Sequence, residues 1–351
     1  VTASIATPAR LKSNASEEPA FFLATKSSES QNSAQSHEIG LRLAQTVFRN
    51  GRDRTLLGMR WTRDETSNNY NLDSYLDLSS CSIAAPVREA HCAVNVPFYP
   101  VTQRRRVISS MGNILRQVSK STTNDGDISA GIPASSDLEK ELPRYVSERG
   151  IPHQRVAVWA LVEPSASSSI ETTQHSIQNS LLKGSKIHRV VSGGGGWGKK
   201  QGLLSLDPEV TFEAGNRSHE ASLDEMFTSP MATGAASMTD LPDFLEGLGL
   251  EGDIASLSQV ASPGDYIQFF VTSEDDVQSD TSSPGALTYS FGVESPEDLT
   301  DTPSTTSKGV VVIQDHFGAI SESAISYSHT DSSNCETKIS VPGSRVDLSV
   351  A

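Results

Sequence analysis

The stretch from residue 155 to residue 200 constrains the fold more than any other. VAVWALVEP (155 to 163) is apolar almost throughout, the pattern of a strand buried on both faces. A Ser-rich turn leads to IETTQHSIQNSLLKG, in which Ile170, Ile177, Leu181 and Leu182 share one helical face and Gly184 supplies the stop. KIHRVVS (186 to 192) follows as a second strand. Strand, helix and strand in such a short span predict a right-handed parallel crossover, and with it an α/β fold organised around a βαβ unit. The glycine-rich SGGGGWGKKQG would then leave the carboxyl end of a strand, where open α/β sheets bind ligands.

Three uses of that loop stay open. Gly193-Gly-Gly-Gly-Trp-Gly198-Lys199 satisfies GxxxxGK, whose backbone N–H groups cradle phosphates. Against an ATP site, Lys200 stands where Ser or Thr should contact magnesium, and Pro208 interrupts the helix that should follow. Gly193, Gly195 and Gly198 also fit GxGxxG, a match that four consecutive glycines produce by accident. The third reading is packing: glycines admit a close backbone approach, and Trp197 pins the loop to a core or a partner. The candidate ligand-binding residues are Gly193, Gly194, Gly195, Gly196, Gly198, Lys199 and Lys200. No cofactor is implied.

Charge divides the chain. Residues 1 to 200 carry 24 Lys and Arg against 18 Asp and Glu, a net +6; residues 201 to 351 carry 4 against 25, a net -21. Arginine clusters at Arg49, Arg52, Arg54, Arg60 and Arg63, and again at Arg104, Arg105 and Arg106, and forked guanidinium groups hold phosphates bidentately. Arg52, Arg54, Arg104, Arg105 and Arg106 are therefore candidate RNA or anion contacts, with an ordinary ion-paired surface as the competing reading. Residues 43 to 61 place apolar runs around Asn50-Gly51, which predicts an Arg-rich β-hairpin. VISSMGNILRQV (107 to 118) has Ile108, Met111, Leu115 and Val118 at helical spacing, so its N-terminus would follow the three arginines as an anion site. Ser136 and Glu139 form a capping box for a helix ending near Gly150, with Pro143 starting or kinking it.

Three regions emerge. Residues 1 to 36 read as a disordered lead-in whose first 16 residues lack acids and resemble a transit remnant. Residues 37 to 213 read as a basic α/β domain with the glycine-rich loop. Residues 214 to 351 read as an acidic β-rich region with disordered insertions, able to complete the same sheet. Strands are predicted at 265–272, 286–293, 309–315 and 324–328, and a short acidic helix at 240–250. Three cysteines without CxxC spacing favour a reducing compartment. No apolar run approaches the length of a membrane span. Of adjacent acid–base candidates, His91 beside Cys92 and Asp315 beside His316, each pair would point to opposite faces of a strand. No catalytic or metal-binding set is defensible.

VVSGGGGWGKKQGLLSLDPE, with GNILRQV and TVFRNGRDRTLLGMRW, resembles a family of filamentous-fungal proteins of unassigned activity associated with mitochondria, and DHFGAISESAIS (315 to 326) adds a fainter echo. The resemblance carries over no catalytic residue. It implies a mitochondrial setting near the organelle's ribosome or RNA machinery, although the acidic second half departs from ribosomal-protein composition. The expectation is a non-enzymatic mitochondrial protein whose basic half contacts RNA or a ribonucleoprotein and whose acidic half engages protein. The alternative is an enzyme or binding protein for a nucleotide or other phosphorylated ligand at residues 193 to 200.

Overall fold

The computed structural model describes residues 2–5, 21–27, 36–43, 46–51, 55–64, 66, 69–87, 90–120, 131–150, 156–165, 174–193, 202–210, 221–228, 259–273, 287–295, 316–330 and 334–350. In chain order these form β1 (Thr2–Ile5), β2 (Phe21–Ser27), β3 (Ser36–Leu41), α1 (Val47–Asn50), β4 (Leu56–Arg63), β5 (Tyr70–Val87), β6 (Ala90–Asn95), β7 (Phe98–Pro100), β8 (Arg105–Met111), β9 (Ile114–Ser119), β10 (Gly131–Pro133) and α2 (Ser136–Arg149). Then follow β11 (Trp159–Glu163), α3 (Gln174–Leu182), β12 (Lys186–Gly193), β13 (Leu204–Leu206), β14 (Ala221–Ser222), α4 (Leu223–Thr228), β15 (Tyr266–Thr272), β16 (Leu287–Val293), β17 (His316–Ser321), β18 (Ile325–Thr330), β19 (Asn334–Ile339) and β20 (Arg345–Val350). The fold is mostly β, which overturns the expected α/β class.

Its centre is a closed six-stranded barrel. β8, β9, β13, β12, β11 and β15 pair in that order, every pair antiparallel, and β15 pairs back onto β8. The two strands of the expected βαβ unit are thus antiparallel neighbours, with Trp159 opposite Arg189 and Val162 opposite Lys186. α3 connects them without crossing over a sheet. The reason VAVWALVEP reads as a doubly buried strand is now plain. Val158, Ala160 and Val162 line the barrel interior, while Trp159 and Leu161 belong to a second core outside it. A barrel wall covered from outside buries both faces of a strand as thoroughly as a parallel sheet does.

The interior holds Val107, Leu115, Val118, Leu204, Leu206, Ile267, Phe269 and Val271, and α2 lies across one mouth with Leu138 and Tyr145 in the same cluster. The second core joins the outer face of the barrel to two further sheets. One runs β14-β1-β5-β2-β3-β18-β19 with β4 beside β5; the other runs β17-β16-β20-β6. Tyr289, Phe291 and Val293 alternate inward on β16 and meet Val346 and Leu348 of β20, Ile39 of β3 and Phe270 of the barrel. Gln268, buried beside Phe270, satisfies its amide by donating to the Thr102 carbonyl at 2.9 Å.

Two local readings also change. VISSMGNILRQV forms the β8–β9 hairpin instead of a helix, because Gly112 adopts φ +57° in the turn between Met111 and Ile114. Of the apolar residues at helical spacing, Leu115 and Val118 of β9 point into the barrel, while Met111 at the turn is exposed and Ile108 of β8 is half-buried. Asn50-Gly51 ends the short helix α1, with Gly51 at φ +74° as its left-handed cap, and the hairpin of this region is β4–β5. α2 spans the predicted helix and ends at Gly150 (φ +63°), with Pro143 inside it; its N-cap is Ser135, whose hydroxyl donates to Glu139 at 2.6 Å. β15, β16 and β18 occupy predicted strand positions, while 309–315 and 240–250 lie outside the described residues. β1 and β2 fall within the stretch read as a lead-in.

Candidate functional site

The glycine-rich segment is a hairpin connection, not the exit of a parallel strand. β12 ends at Gly193 and β13 begins at Leu204 beside it, with Gly193 opposite Leu204 in the register. Gly194, Gly195, Gly196, Gly198, Lys199 and Lys200 lie outside the described residues. The flanking glycines have packing reasons. A Cβ on Gly193 would stand 2.2 Å from Leu204 Cδ2 and 2.9 Å from the Leu203 carbonyl oxygen. Gly202 has φ +81°, and a Cβ there would meet Pro133 Cβ at 2.4 Å.

α2 ties this stem to the arginine run. The Ser135 N–H donates to the Gly202 carbonyl at 3.2 Å, and the Ala134 N–H donates to the Arg116 carbonyl at 3.0 Å. One position into the helix, Asp137 takes a forked ion pair from Arg105 through Nε and NH2. Arg105 NH1 also donates to the Ser119 and Lys120 carbonyls, at 3.1 and 2.6 Å. Loop stem, helix N-terminus and residues 104 to 106 therefore share one end of the barrel.

Within that run the three arginines differ. Arg104 pairs with the buried Glu163 and lies 3.7 Å over the Tyr266 ring, and Glu163 also accepts from Ser180 Oγ at 2.9 Å. Arg105 is bound to Asp137. Neither offers its guanidinium to an external phosphate without breaking a partly buried pair, so both act in the structure as internal ties. Arg106 has no ion-pair partner among the described residues; its backbone N–H donates to Ser119 Oγ. Arg52 and Arg54 lie outside the described residues. Arg116 and Lys120, both exposed, join Arg106 at this end and carry no ion pair among the described residues. Sequence reading missed them because 107–118 was read as helical. A register irregularity in the β8–β9 pairing, which skips Arg116 between Leu115 and Gln117, lets Leu115 and Val118 both point inside and leaves Arg116 exposed.

Two buried polar clusters lie elsewhere. Lys338 of β19, whose side chain is 7% exposed, pairs with Asp207 and Glu209 just beyond β13, and Arg42 pairs with Glu209 from the other side. Beside them His188, 1% exposed, has Nδ1 at 2.8 Å from the Asp207 carbonyl, so Nδ1 carries the proton and donates; Nε2 has no hydrogen-bond partner. Burial lowers the His188 pKa to about 4 against that hydrogen bond, which keeps the ring neutral. In the second cluster His37 and His329 stand 4.6 Å apart between ring centroids, and Tyr327 OH lies 3.2 Å from His37 Nδ1. Burial, then His329, lowers the His37 pKa to about 4; burial pushes the Cys92 thiol up to about 12 despite a hydrogen bond with Tyr327. A thiol so raised is a poor nucleophile. His91 is exposed where Cys92 is half-buried, as alternation requires; His316 is exposed, and Asp315 lies outside the described residues. No three His, Cys, Asp or Glu side chains among the described residues could together hold a metal ion. None of the three cysteines is disulfide-bonded. No helix among the described residues is long and apolar enough to cross a membrane.

Comparison with protein-family models, curated proteins and solved structures found no match for this chain.

Proposed function

We propose that the chain is a non-catalytic binding protein that contacts the phosphate backbone of RNA, alone or within a ribonucleoprotein, through the barrel end beside α2. The observation that carries this reading is the convergence of two basic features at one place. Ser135 is bonded to the stem of the loop that contains Lys199 and Lys200, and Asp137 is bonded to Arg105. Arg106, Arg116 and Lys120 flank this junction without ion-pair partners among the described residues. Arg104 and Arg105 shape the surface instead of contacting ligand. Arg106 on β8, Arg116 on β9 and Lys120 just beyond it suit a polyanion, which gains affinity from each neutralised phosphate. The acidic second half is proposed to engage protein, and the fungal mitochondrial setting rests on the sequence resemblance alone.

Fluorescence anisotropy with a labelled single-stranded RNA tests this reading at low salt. Binding that weakens in the Arg106→Ala/Lys120→Ala variant supports it. Absence of binding by the unaltered chain at low ionic strength removes it, and a response to free nucleotides alone would favour a small phosphorylated ligand at the loop.

A further inference from the structure

The antiparallel pairing of β3 with β18 sets two histidines against each other. Leu41 lies opposite Ile325, Ile39 opposite Tyr327 and His37 opposite His329, so the histidines share a face and sit where β3 begins and β18 ends. Both residues are buried, and their ring centroids are 4.6 Å apart. Imidazole is the side chain whose ordinary titration falls between about pH 5 and 8, and a proton on one of two touching rings opposes a proton on the other.

A phenol and two thiols face the pair. Tyr327, two residues along the same face of β18, has its OH 3.2 Å from His37 Nδ1 and is hydrogen-bonded with Cys92 of β6. Cys335 of β19 lies opposite His329 and donates its thiol to the Leu182 carbonyl at 3.2 Å. His329 Nδ1 is buried with no hydrogen-bond partner among the described residues. The Asp347 carboxylate on β20 acts on Cys92, while Glu38 and Glu336 flank Ser328 on the opposite face of the sheet. Burial, then the His329 ring, holds His37 at a pKa of about 4, so the closed pair is neutral at pH 7.

The two ends of this pairing are fastened differently. At the far end Leu41 and Ile325 lie in the second core, the Ser321 hydroxyl donates to the Arg42 carbonyl at 3.3 Å, and Arg42 pairs with Glu209. β18 is also backed by β19, which the barrel holds through Lys338 and through Thr337 Oγ1, the acceptor of the Ile187 N–H at 3.0 Å. β3 has β2 on its other side, so its pairing with β18 joins N-terminal strands to the layer that the barrel holds. We propose that the His37–His329 pair is an acid-sensitive latch, which closes its end of the β3–β18 pairing at neutral pH and frees that end on mild acidification while the Leu41–Ile325 end holds. An opened end presents His37 to water near the ordinary imidazole pKa of about 6.5, above its closed value. The open form therefore takes up the proton first, and closure weakens as the pH falls from about 6.5 towards 4.

Hydrogen–deuterium exchange of the full chain at about pH 7 and about pH 5.5, corrected for the intrinsic pH dependence of amide exchange, tests it. A ring that titrates near 6.5 when open and near 4 when closed shifts the opening equilibrium about eightfold between these two conditions. Protection of residues 36–39 and 327–330 is expected to fall by that factor, and protection around Leu41 and Ile325 by less than about twofold. His37→Gln should abolish the response, and His188→Gln, which alters a different buried ring, should retain it. A fall of less than about threefold beside the histidines, or equal falls at both ends of the pairing, overturns the proposal. A folded His37→Gln protein that keeps the full response overturns it equally; should that variant not fold, the contrast between the two ends in the unaltered chain decides.

Discussion

Replacing Lys338 by methionine probes the contact that joins the barrel to the neighbouring sheet. The side chain is 7% exposed and its ammonium meets Asp207 and Glu209, each about a quarter exposed, while Arg42 holds the other oxygen of Glu209. Removing one partner of a fully buried pair costs about 3–5 kcal/mol, because the charge left behind has lost its water. Here the loss is smaller for two reasons. Water reaches both carboxylates, and Glu209 keeps Arg42 while Asp207 still accepts the Glu209 N–H at 3.1 Å. We expect Lys338→Met to destabilise the fold by about 2–3 kcal/mol, and a cycle with Asp207→Asn to give a coupling of about 1–2 kcal/mol, above the ~0.2–1 kcal/mol of exposed pairs. Urea unfolding followed by tryptophan fluorescence measures both, with the m-value checked for constancy. A coupling under about 0.5 kcal/mol would refute the claim that this ion cluster ties the two layers together.

Gly193→Ala should destabilise by about 1–3 kcal/mol, since the new Cβ meets the Leu203 backbone oxygen at 2.9 Å as well as the Leu204 side chain, and backbone cannot rotate away. Thermal unfolding checks it, and an unchanged midpoint would mean the stem glycine serves something other than packing. For His188 the folded pKa, about 4, lies below the ordinary 6.5, so the unfolded chain takes up the proton first as the medium acidifies. Its contribution is complete above about pH 6.5, declines by roughly 1 kcal/mol per pH unit towards pH 4, and levels off below that. Unfolding free energies at several pH values for the unaltered chain and for His188→Gln should therefore diverge in slope between pH 6.5 and 4; parallel profiles would show that the ring is not held neutral.

Much of the strand content was legible in the sequence, and the topology was not. β15, β16 and β18 announce themselves through apolar runs bounded by Ser, Asp and Gly, and α2 through Ser136, one residue past the observed N-cap Ser135, with Glu139 and Gly150. VAVWALVEP misled because a run buried on both faces has the same composition in a parallel sheet and in the wall of a covered barrel; only the register, Trp159 against Arg189, separates them. VISSMGNILRQV misled because apolar residues of two strands joined by a tight turn fell three and four residues apart, imitating a helical face, although only Leu115 and Val118 of the four point inward, and Gly112 was the overlooked signal. The glycine-rich loop was found as a feature, but its neighbours depend on pairings across the chain. Nothing local in RRR distinguishes Arg104 and Arg105, each held by a distant carboxylate, from Arg106, which is left outward.

The salt dependence of RNA binding tests the proposed role of the barrel end most directly. Observed affinity should fall linearly with the logarithm of salt concentration, and Arg106→Ala/Lys120→Ala should reduce the slope by about 2 while leaving thermal stability close to that of the unaltered chain. Equal slopes for the two proteins would contradict the account and place any RNA contact elsewhere.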